Sequence, residues 1–252
     1  MKRLLQRLLL PSLRLRLKLI LRSLADVRSA QFYRIVRSSP KSVQLQSQQF
    51  ESKVQVVQVL KVANYSENKR QNLTIAATCI NNVVIQPNEI FSFWALVGAP
   101  VAKRGYLEGR ALVNGKLKAV MGGGLCQLSG ILYHLILQAG LNAIERYPHS
   151  ADIYTDETRF TPLGSDATVV YGYKDLRFIN SLSHPICFRI VITLDQITGE
   201  LCSPTPITLY HIEFRAKKFP DRTEVETFRS SIVSSVRSNT LLLEAIGISS
   251  YK

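Results

Sequence analysis

Cys126 is the residue of this sequence that is best placed to do chemistry. It follows three glycines in the stretch VMGGGLCQLS and opens a long apolar run. The thiolate is the reactive form of cysteine, and the unpaired N–H groups at a helix N-terminus favour it over the thiol. If a helix begins at this motif, Cys126 is a candidate nucleophile.

A cysteine nucleophile needs a base, and His149 is the best candidate. A helix over residues 126–139 would be about 21 Å long at ~1.5 Å per residue. An extended segment over residues 141–147 would return about 23 Å at ~3.3 Å per residue. Since Gly140 stands where a glycine ends a helix, the chain is expected to bring His149 level with Cys126.

A carboxylate should orient the imidazole of the base. Asp166, in PLGSDATVVYG at the entrance to a predicted strand, is the first candidate, and Asp152 is the second. The backbone amides of Cys126 and Gln127 are candidate donors to an oxyanion, and Arg146 is a candidate partner for a substrate carboxylate. These residues together predict a cysteine hydrolase or acyltransferase.

Each of these residues also has a structural interpretation. Free cysteine is among the most buried residue types, so Cys126 can simply belong to the core. The glycines can form a nest for an anion, or let a hairpin pass close to a helix. His149 and Asp166 both follow turn-forming residues, and Arg146 can be an ordinary ion-pair arginine.

The elements that must position the site are a hairpin and a helix. Asn114-Gly115 between two apolar segments predicts a β-hairpin ahead of the glycines, and another turn is expected at Thr198-Gly199. A second helix is predicted over residues 73–84, with Cys79 in its core, and the stretch ITLYHIEFRAKKF alternates like a strand. One face of the Cys126 helix carries six apolar residues: Leu128, Ile131, Leu132, Leu135, Ile136 and Ala139.

The expected fold class is therefore α+β. It is a mainly antiparallel sheet with a central helix that starts at the Gly-Gly-Gly-Leu-Cys motif, together with N-terminal helices. The glycine loop lacks the lysine and the spacing of a phosphate-binding loop.

The net charge of +14 is concentrated at one end of the chain. Residues 1–41 hold eleven Lys or Arg and one acid, so the rest of the chain is nearly neutral. This argues against a nucleic-acid groove and indicates a basic, leucine-rich helix on an anionic membrane surface. Strict alternation of leucine with arginine or lysine in LRLRLKL fits the period of a strand better than that of a helix.

Neither a signal peptide nor a membrane-spanning segment is recognised in the sequence. This predicts a cytoplasmic location or a peripheral one on the inner face of the membrane.

The four cysteines have no spacing typical of a disulfide framework or a zinc site, so they are expected to be reduced, with no metal and no cofactor. His184 and Cys187 are three residues apart, but no second pair accompanies them.

The sequence resembles the VanW family. The resemblance is carried, in order, by FSFWALVG, ALVNGKL, GGGLCQLSGILYHLILQAGL, ERYPHS, PLGSDATVVYGYKDLRFIN and HPICFRIVI. It implies that the following residues are motif positions: Gly122, Gly123, Gly124, Cys126, Gln127, Ser129, His149, Asp166, Thr168, Asp175, Arg177 and Asn180. It also implies a role near peptidoglycan or its D-Ala-ended precursors.

The composition, the motifs and the resemblance together assign the regions of the chain and the site residues. Residues 1–49 are predicted to be a basic helix and linker, 50–219 a VanW-like domain and 220–252 a C-terminal extension. The predicted catalytic residues are Cys126, His149 and Asp166. The predicted substrate-binding residues are Gly122, Gly123, Gly124, Gln127, Ser129 and Arg146. An alternative interpretation is a module that binds a wall precursor, a glycopeptide or another anionic ligand without turnover.

Overall fold

A computed structural model describes residues 10–39, 41–61, 64–113, 116–150, 161–231 and 243–251. In the described residues the α-helices are α1 (Pro11–Arg28), α2 (Lys41–Ser47), α3 (Ser66–Ile80), α4 (Phe93–Val97) and α5 (Leu125–Gln138). The strands are β1 (Ser52–Val59), β2 (Ile90–Ser92), β3 (Glu108–Val113), β4 (Lys116–Met121), β5 (Ala143–Glu145), β6 (Arg177–Ile179), β7 (Cys187–Ile192), β8 (Gln196–Ser203), β9 (Tyr210–Lys218), β10 (Thr223–Ser231) and β11 (Glu244–Tyr251).

The strands pair only with antiparallel neighbours in the sheets of the described residues. Their orders are β1-β8-β7, β9-β10-β11, β2-β6-β5 and β3-β4. The predicted α+β class with a mainly antiparallel sheet is confirmed. The predicted strand in ITLYHIEFRAKKF corresponds to β9.

The central helix is α5, and it begins at Leu125, directly after the three glycines. The six residues predicted to form its apolar face are all buried. The helix ends as predicted, because Gly140 has a positive φ of 77°. The Leu141 amide then donates to the Ile136 carbonyl and the Gly140 amide to the Leu137 carbonyl, the pattern of a Schellman motif.

The turn predicted at Thr198-Gly199 is wrong. Both residues lie inside β8, where Gly199 pairs with Val56 on one side and Ile190 on the other. A Cβ atom on Gly199 would lie 2.5 Å from the side chain of Ile131. The glycine therefore lets α5 pack closely on the sheet. Close approach of another segment is a common reason for glycine inside a strand.

The hairpin ahead of the glycines is formed by β3 and β4, with Val113 opposite Lys116. Its predicted turn, Asn114-Gly115, lies outside the described residues. The helix predicted over residues 73–84 begins earlier and ends at Ile80. It ends there because the side chain of Asn81 exchanges two hydrogen bonds with the backbone of Ile190, which ties the chain to β7.

The alternating LRLRLKL segment is helical, as part of α1. This helix is held to the domain by Asp26, whose carboxylate accepts two hydrogen bonds of 2.7 Å from the buried guanidinium of Arg177. Arg22 pairs with Glu145 beside it. The strand period of this segment therefore does not predict its structure, and the ion pairs of Arg22 and Asp26 attach the helix to the domain.

The described parts of residues 1–49 and 220–252 pack against the rest of the molecule. Val225 of β10 and Tyr251 of β11 are buried, and α2 lies in the predicted linker. The division into three regions stays a prediction. None of the helices in the described part of the chain has the length and apolar character needed to cross a membrane.

Candidate active site

The structure brings Cys126 and His149 into contact. Cys126 lies in the first turn of α5, and the chain reverses at Gly140 and returns along β5 to His149. The thiol of Cys126 lies close enough to the His149 imidazole to raise the pKa of that imidazole, and it donates to the carbonyl oxygen of Val169 over 3.8 Å. The antiparallel return predicted from the lengths of the two segments is the observed path.

Asp166 holds the imidazole from the other side. Its Oδ2 atom lies 2.6 Å from His149 Nδ1 and accepts a hydrogen bond from the His149 backbone amide. Because an ionised carboxylate can only accept, Nδ1 carries the proton. The other ring nitrogen, Nε2, is then the one available to exchange a proton with a reacting group. The three residues predicted to be catalytic therefore form one chain of contacts, and their roles stay predictions.

The charges of the pair reinforce one another. Burial by itself lowers the pKa of His149, but hydrogen bonds with Asp166 and Cys126 raise that pKa to about 10. Burial raises the pKa of Asp166, but the hydrogen bond from His149 and the charge of Arg146 hold it well below its usual range. At neutral pH the site therefore contains an imidazolium beside a carboxylate.

Arg146 lies behind the carboxylate. Its Nη2 atom donates to Asp166 Oδ1 over 3.1 Å and to the Gly164 carbonyl over 2.9 Å, and its Nε donates to the Asp166 carbonyl over 2.7 Å. The ring of Tyr133 stacks under the guanidinium at 4.8 Å. These contacts support Asp166, so substrate binding by Arg146 stays a prediction that its surroundings do not favour.

Tyr251 and Ser249, both on β11, are site residues that the sequence did not indicate. The hydroxyl of Tyr251 donates to Asp166 Oδ1, and Arg146 donates to Ser249 Oγ. The end of the chain carries no motif, and only the contact in the folded molecule identifies these two residues.

The three glycines lie against other parts of the protein. A Cβ atom on Gly122 would meet Pro100 at 2.7 Å, and one on Gly124, which has a φ of 100°, would meet Lys69 at 2.5 Å. Gly123 packs directly on Gly109, whose carbonyl oxygen would lie 2.0 Å from a Cβ atom at position 123. These contacts support the interpretation that the glycines let the hairpin pass close to the helix.

Gln127 and Ser129 face inward. The Gln127 amide, predicted to help receive an oxyanion, already donates to the Gly124 carbonyl over 3.0 Å, so the Cys126 amide is the remaining candidate. The Gln127 side chain donates to Gln58 over 3.2 Å. Ser129 Oγ donates to the Ala167 carbonyl over 2.6 Å and thereby fixes the segment of Asp166 on α5.

Comparison with known proteins identifies the family. A sequence model described as "VanW like protein" matches residues 68–202, more than half of the chain. The chain belongs to the VanW family. Vancomycin B-type resistance protein VanW of Enterococcus faecalis (strain ATCC 700802 / V583) is 36% identical over 151 residues, which cover 59% of this chain and 54% of that protein. Uncharacterized protein YoaR of Bacillus subtilis (strain 168) is 36% identical over 124 residues, which cover 49% of this chain and 39% of that protein.

This VanW-family chain thus spans about half the length of the curated relatives it matches. No solved structure matches it. The matched span contains Cys126, His149 and Asp166, whereas α1 and Tyr251 lie outside it.

The glycine contacts of the VanW motif give a testable prediction. Gly123→Ala is expected to lower the free energy of unfolding by at least ~2 kcal/mol, because the new methyl group collides with backbone that cannot rotate away. Gly130→Ala is the matched control, since a Cβ there has its nearest neighbour at an ordinary 3.7 Å. Alanine in the middle of α5 should stabilise by about 0.5–1 kcal/mol. Urea unfolding of the two variants measures both effects, and equal stabilities would contradict the packing argument.

Proposed function

We propose that this chain is a cysteine hydrolase or acyltransferase that acts on amide bonds of a peptidoglycan-like substrate. The observation that carries the proposal is that His149 lies beside Cys126 and that its Nδ1 atom is 2.6 Å from Asp166 Oδ2. All three residues lie inside the span that defines the family. Cysteine, base and orienting carboxylate are the groups that acyl transfer through a thioester requires.

The reaction begins when Cys126 Sγ, as thiolate, attacks the carbonyl carbon of the amide. A carbon–sulfur bond forms and the carbonyl oxygen takes up negative charge, for which the Cys126 amide is the candidate donor. When this intermediate collapses, the carbon–nitrogen bond breaks and the amine leaves with the proton from His149 Nε2. The product on the protein is a thioester of Cys126.

The second half of the reaction uses the same groups in reverse. Neutral His149 accepts a proton from water as the water oxygen attacks the thioester carbonyl. The carbon–sulfur bond then breaks, which releases the Cys126 thiolate and a carboxylic acid that loses its proton to solvent. An amine in place of water gives acyl transfer. Asp166 keeps the proton on Nδ1 throughout, so that Nε2 is always the atom that exchanges a proton with the reacting groups.

Membership of the family supports the proposed substrate class. One relative is a vancomycin B-type resistance protein, which links the family to glycopeptide resistance and supports a substrate near peptidoglycan and its precursors. The half-buried thiol of Cys126 and an imidazole whose side chain is 28% exposed leave the site open to a peptide.

The test is incubation of the purified full chain with peptidoglycan stem peptides that end in D-Ala-D-Ala, followed by mass spectrometry of the peptides and of the protein. We expect release of a cleaved or transferred peptide and an acyl adduct on Cys126. Both should disappear in Cys126→Ser and persist in Cys79→Ser, which changes the other half-buried cysteine. Binding of the peptide without turnover, and with equal affinity in Cys126→Ala, would overturn the proposal in favour of a binding module.

A further inference from the structure

An apolar stripe runs along the outer side of α1. Its members recur every three or four residues, so they share one face of the helix. The exposed side chains are Leu10, Leu13, Leu17, Ile20, Leu21, Leu24 and Val27, here called the α1 stripe. In the described part of the chain nothing covers them, and Leu21, for example, is 61% exposed.

The opposite side of α1 is attached to the domain. Leu15 lies so close to Gly172 that a Cβ atom there would be 2.4 Å from its side chain, and Leu19 contacts the same glycine. Asp26, about two turns beyond Leu19 on this side, forms the buried ion pair with Arg177. The helix is therefore fixed with its α1 stripe turned away from the domain.

Basic side chains border the α1 stripe. Arg16 and Lys18 are exposed, and Lys18 lies 5.9 Å from the ring of Tyr173. Arg28, also exposed, ends the helix, and Asp26 is the one acid in residues 1–41. Since Asp26 is neutralised by Arg177, the outer side of α1 combines apolar surface with positive charge only.

We propose that the α1 stripe is a docking surface for an anionic lipid bilayer. Leucine and isoleucine side chains enter the acyl boundary, and the bordering arginines and lysine meet the lipid phosphates. A second copy of the chain fits this surface less well, because two such stripes face to face would bring like charges together. The proposal is independent of the chemistry assigned to Cys126.

Docking in this way would bring the candidate active site close to the bilayer. Val169, whose carbonyl contacts the Cys126 thiol, is three residues before Gly172, on which Leu15 packs.

The experiment is co-sedimentation of the full chain with phosphatidylcholine vesicles that contain phosphatidylglycerol, and with phosphatidylcholine vesicles alone. We expect binding to the anionic vesicles, weaker binding at high salt, and much weaker binding to the neutral vesicles. Leu21→Ser should reduce the partition coefficient about tenfold, because a buried leucine is lost without a change of charge. Arg16→Gln should weaken binding to the anionic vesicles only.

The control is Leu194→Ser, which removes a leucine that is 76% exposed in the connection between β7 and β8. It should bind like the unchanged protein, and thermal melts should show that all variants fold. Equal binding of Leu21→Ser, or absence of binding to anionic vesicles, would overturn the proposal. A dimer in light scattering that Leu21→Ser converts to a monomer would overturn it in favour of a second copy.

Discussion

Replacing His149 with alanine is expected to slow the alkylation of Cys126 by iodoacetamide at least about tenfold at pH 7, because an unassisted cysteine is only a few per cent thiolate there. In the proposed mechanism the imidazolium of His149, beside the sulfur, stabilises the thiolate. The rate at Cys126 is measured by mass spectrometry of the modified peptide over a series of pH values.

The pKa of His149 defines the pH range of this effect. Because hydrogen bonds with Asp166 and Cys126 outweigh burial and raise that pKa to about 10, the imidazolium is present below about pH 10 and is lost above it. The ratio of the rates in unchanged protein and variant should therefore be larger at pH 6 than at pH 8. It should approach one as the pH passes about 10, where both thiols ionise without help.

Two controls make the alkylation result specific. Cys79 is half-buried and accepts a hydrogen bond from Arg104, but it has no histidine partner in the described contacts, so it should react more slowly than Cys126 in the same sample. His211→Ala, which removes an exposed histidine on β9, should leave the rate at Cys126 unchanged. Equal rates at Cys126 with and without His149 would contradict an activated thiolate.

The pairing of Cys126 with His149 could be predicted because each step of the path is local. A glycine motif starts the helix, Gly140 ends it, and the helix and the returning segment have similar lengths. Local signals of this kind specify a path without knowledge of the rest of the fold. The apolar face of α5 was predictable for the same reason, since its period is a property of the helix itself.

The contacts of Asp166 with β11 could not be predicted in this way. Tyr251 is 85 residues from Asp166, and Arg177 is 151 residues from Asp26. A single sequence shows which side chains are charged or carry a hydroxyl group. It does not show which distant residue each of them will pair with in the folded protein. Gly199 shows the same limit, since only the packing of Ile131 explains the glycine that local reasoning assigned to a turn.

Asp166→Asn is expected to inactivate the site while preserving its shape. The amide has one accepting oxygen, whereas the carboxylate accepts from His149 on Oδ2 and from Arg146 and Tyr251 on Oδ1. If the new NH₂ group faces His149, Nδ1 must accept, so the ring proton moves to Nε2 and the histidine cannot take a proton from Cys126. If it faces Arg146 instead, two donors oppose each other and about 1–3 kcal/mol of stability is lost.

Turnover of a stem peptide, or alkylation of Cys126 in its absence, measures the result. Turnover should fall roughly 10²–10⁴-fold, and alkylation at pH 7 should fall about as far as in His149→Ala. Asp195→Asn, a change of the same chemistry at an exposed turn, should have no effect. Unchanged alkylation in Asp166→Asn would show that the carboxylate only supports the fold.

The same variant decides what Arg146 and Tyr251 do. Both reach His149 only through Asp166, so a loss of Cys126 reactivity in Asp166→Asn makes them positioning residues for the base. Tyr251→Phe should then shift the pH dependence of alkylation, because Asp166 loses one hydrogen bond that stabilises its charge. Since Tyr251 lies on β11, beyond the matched residues 68–202, the working site would include a strand that the family comparison does not cover.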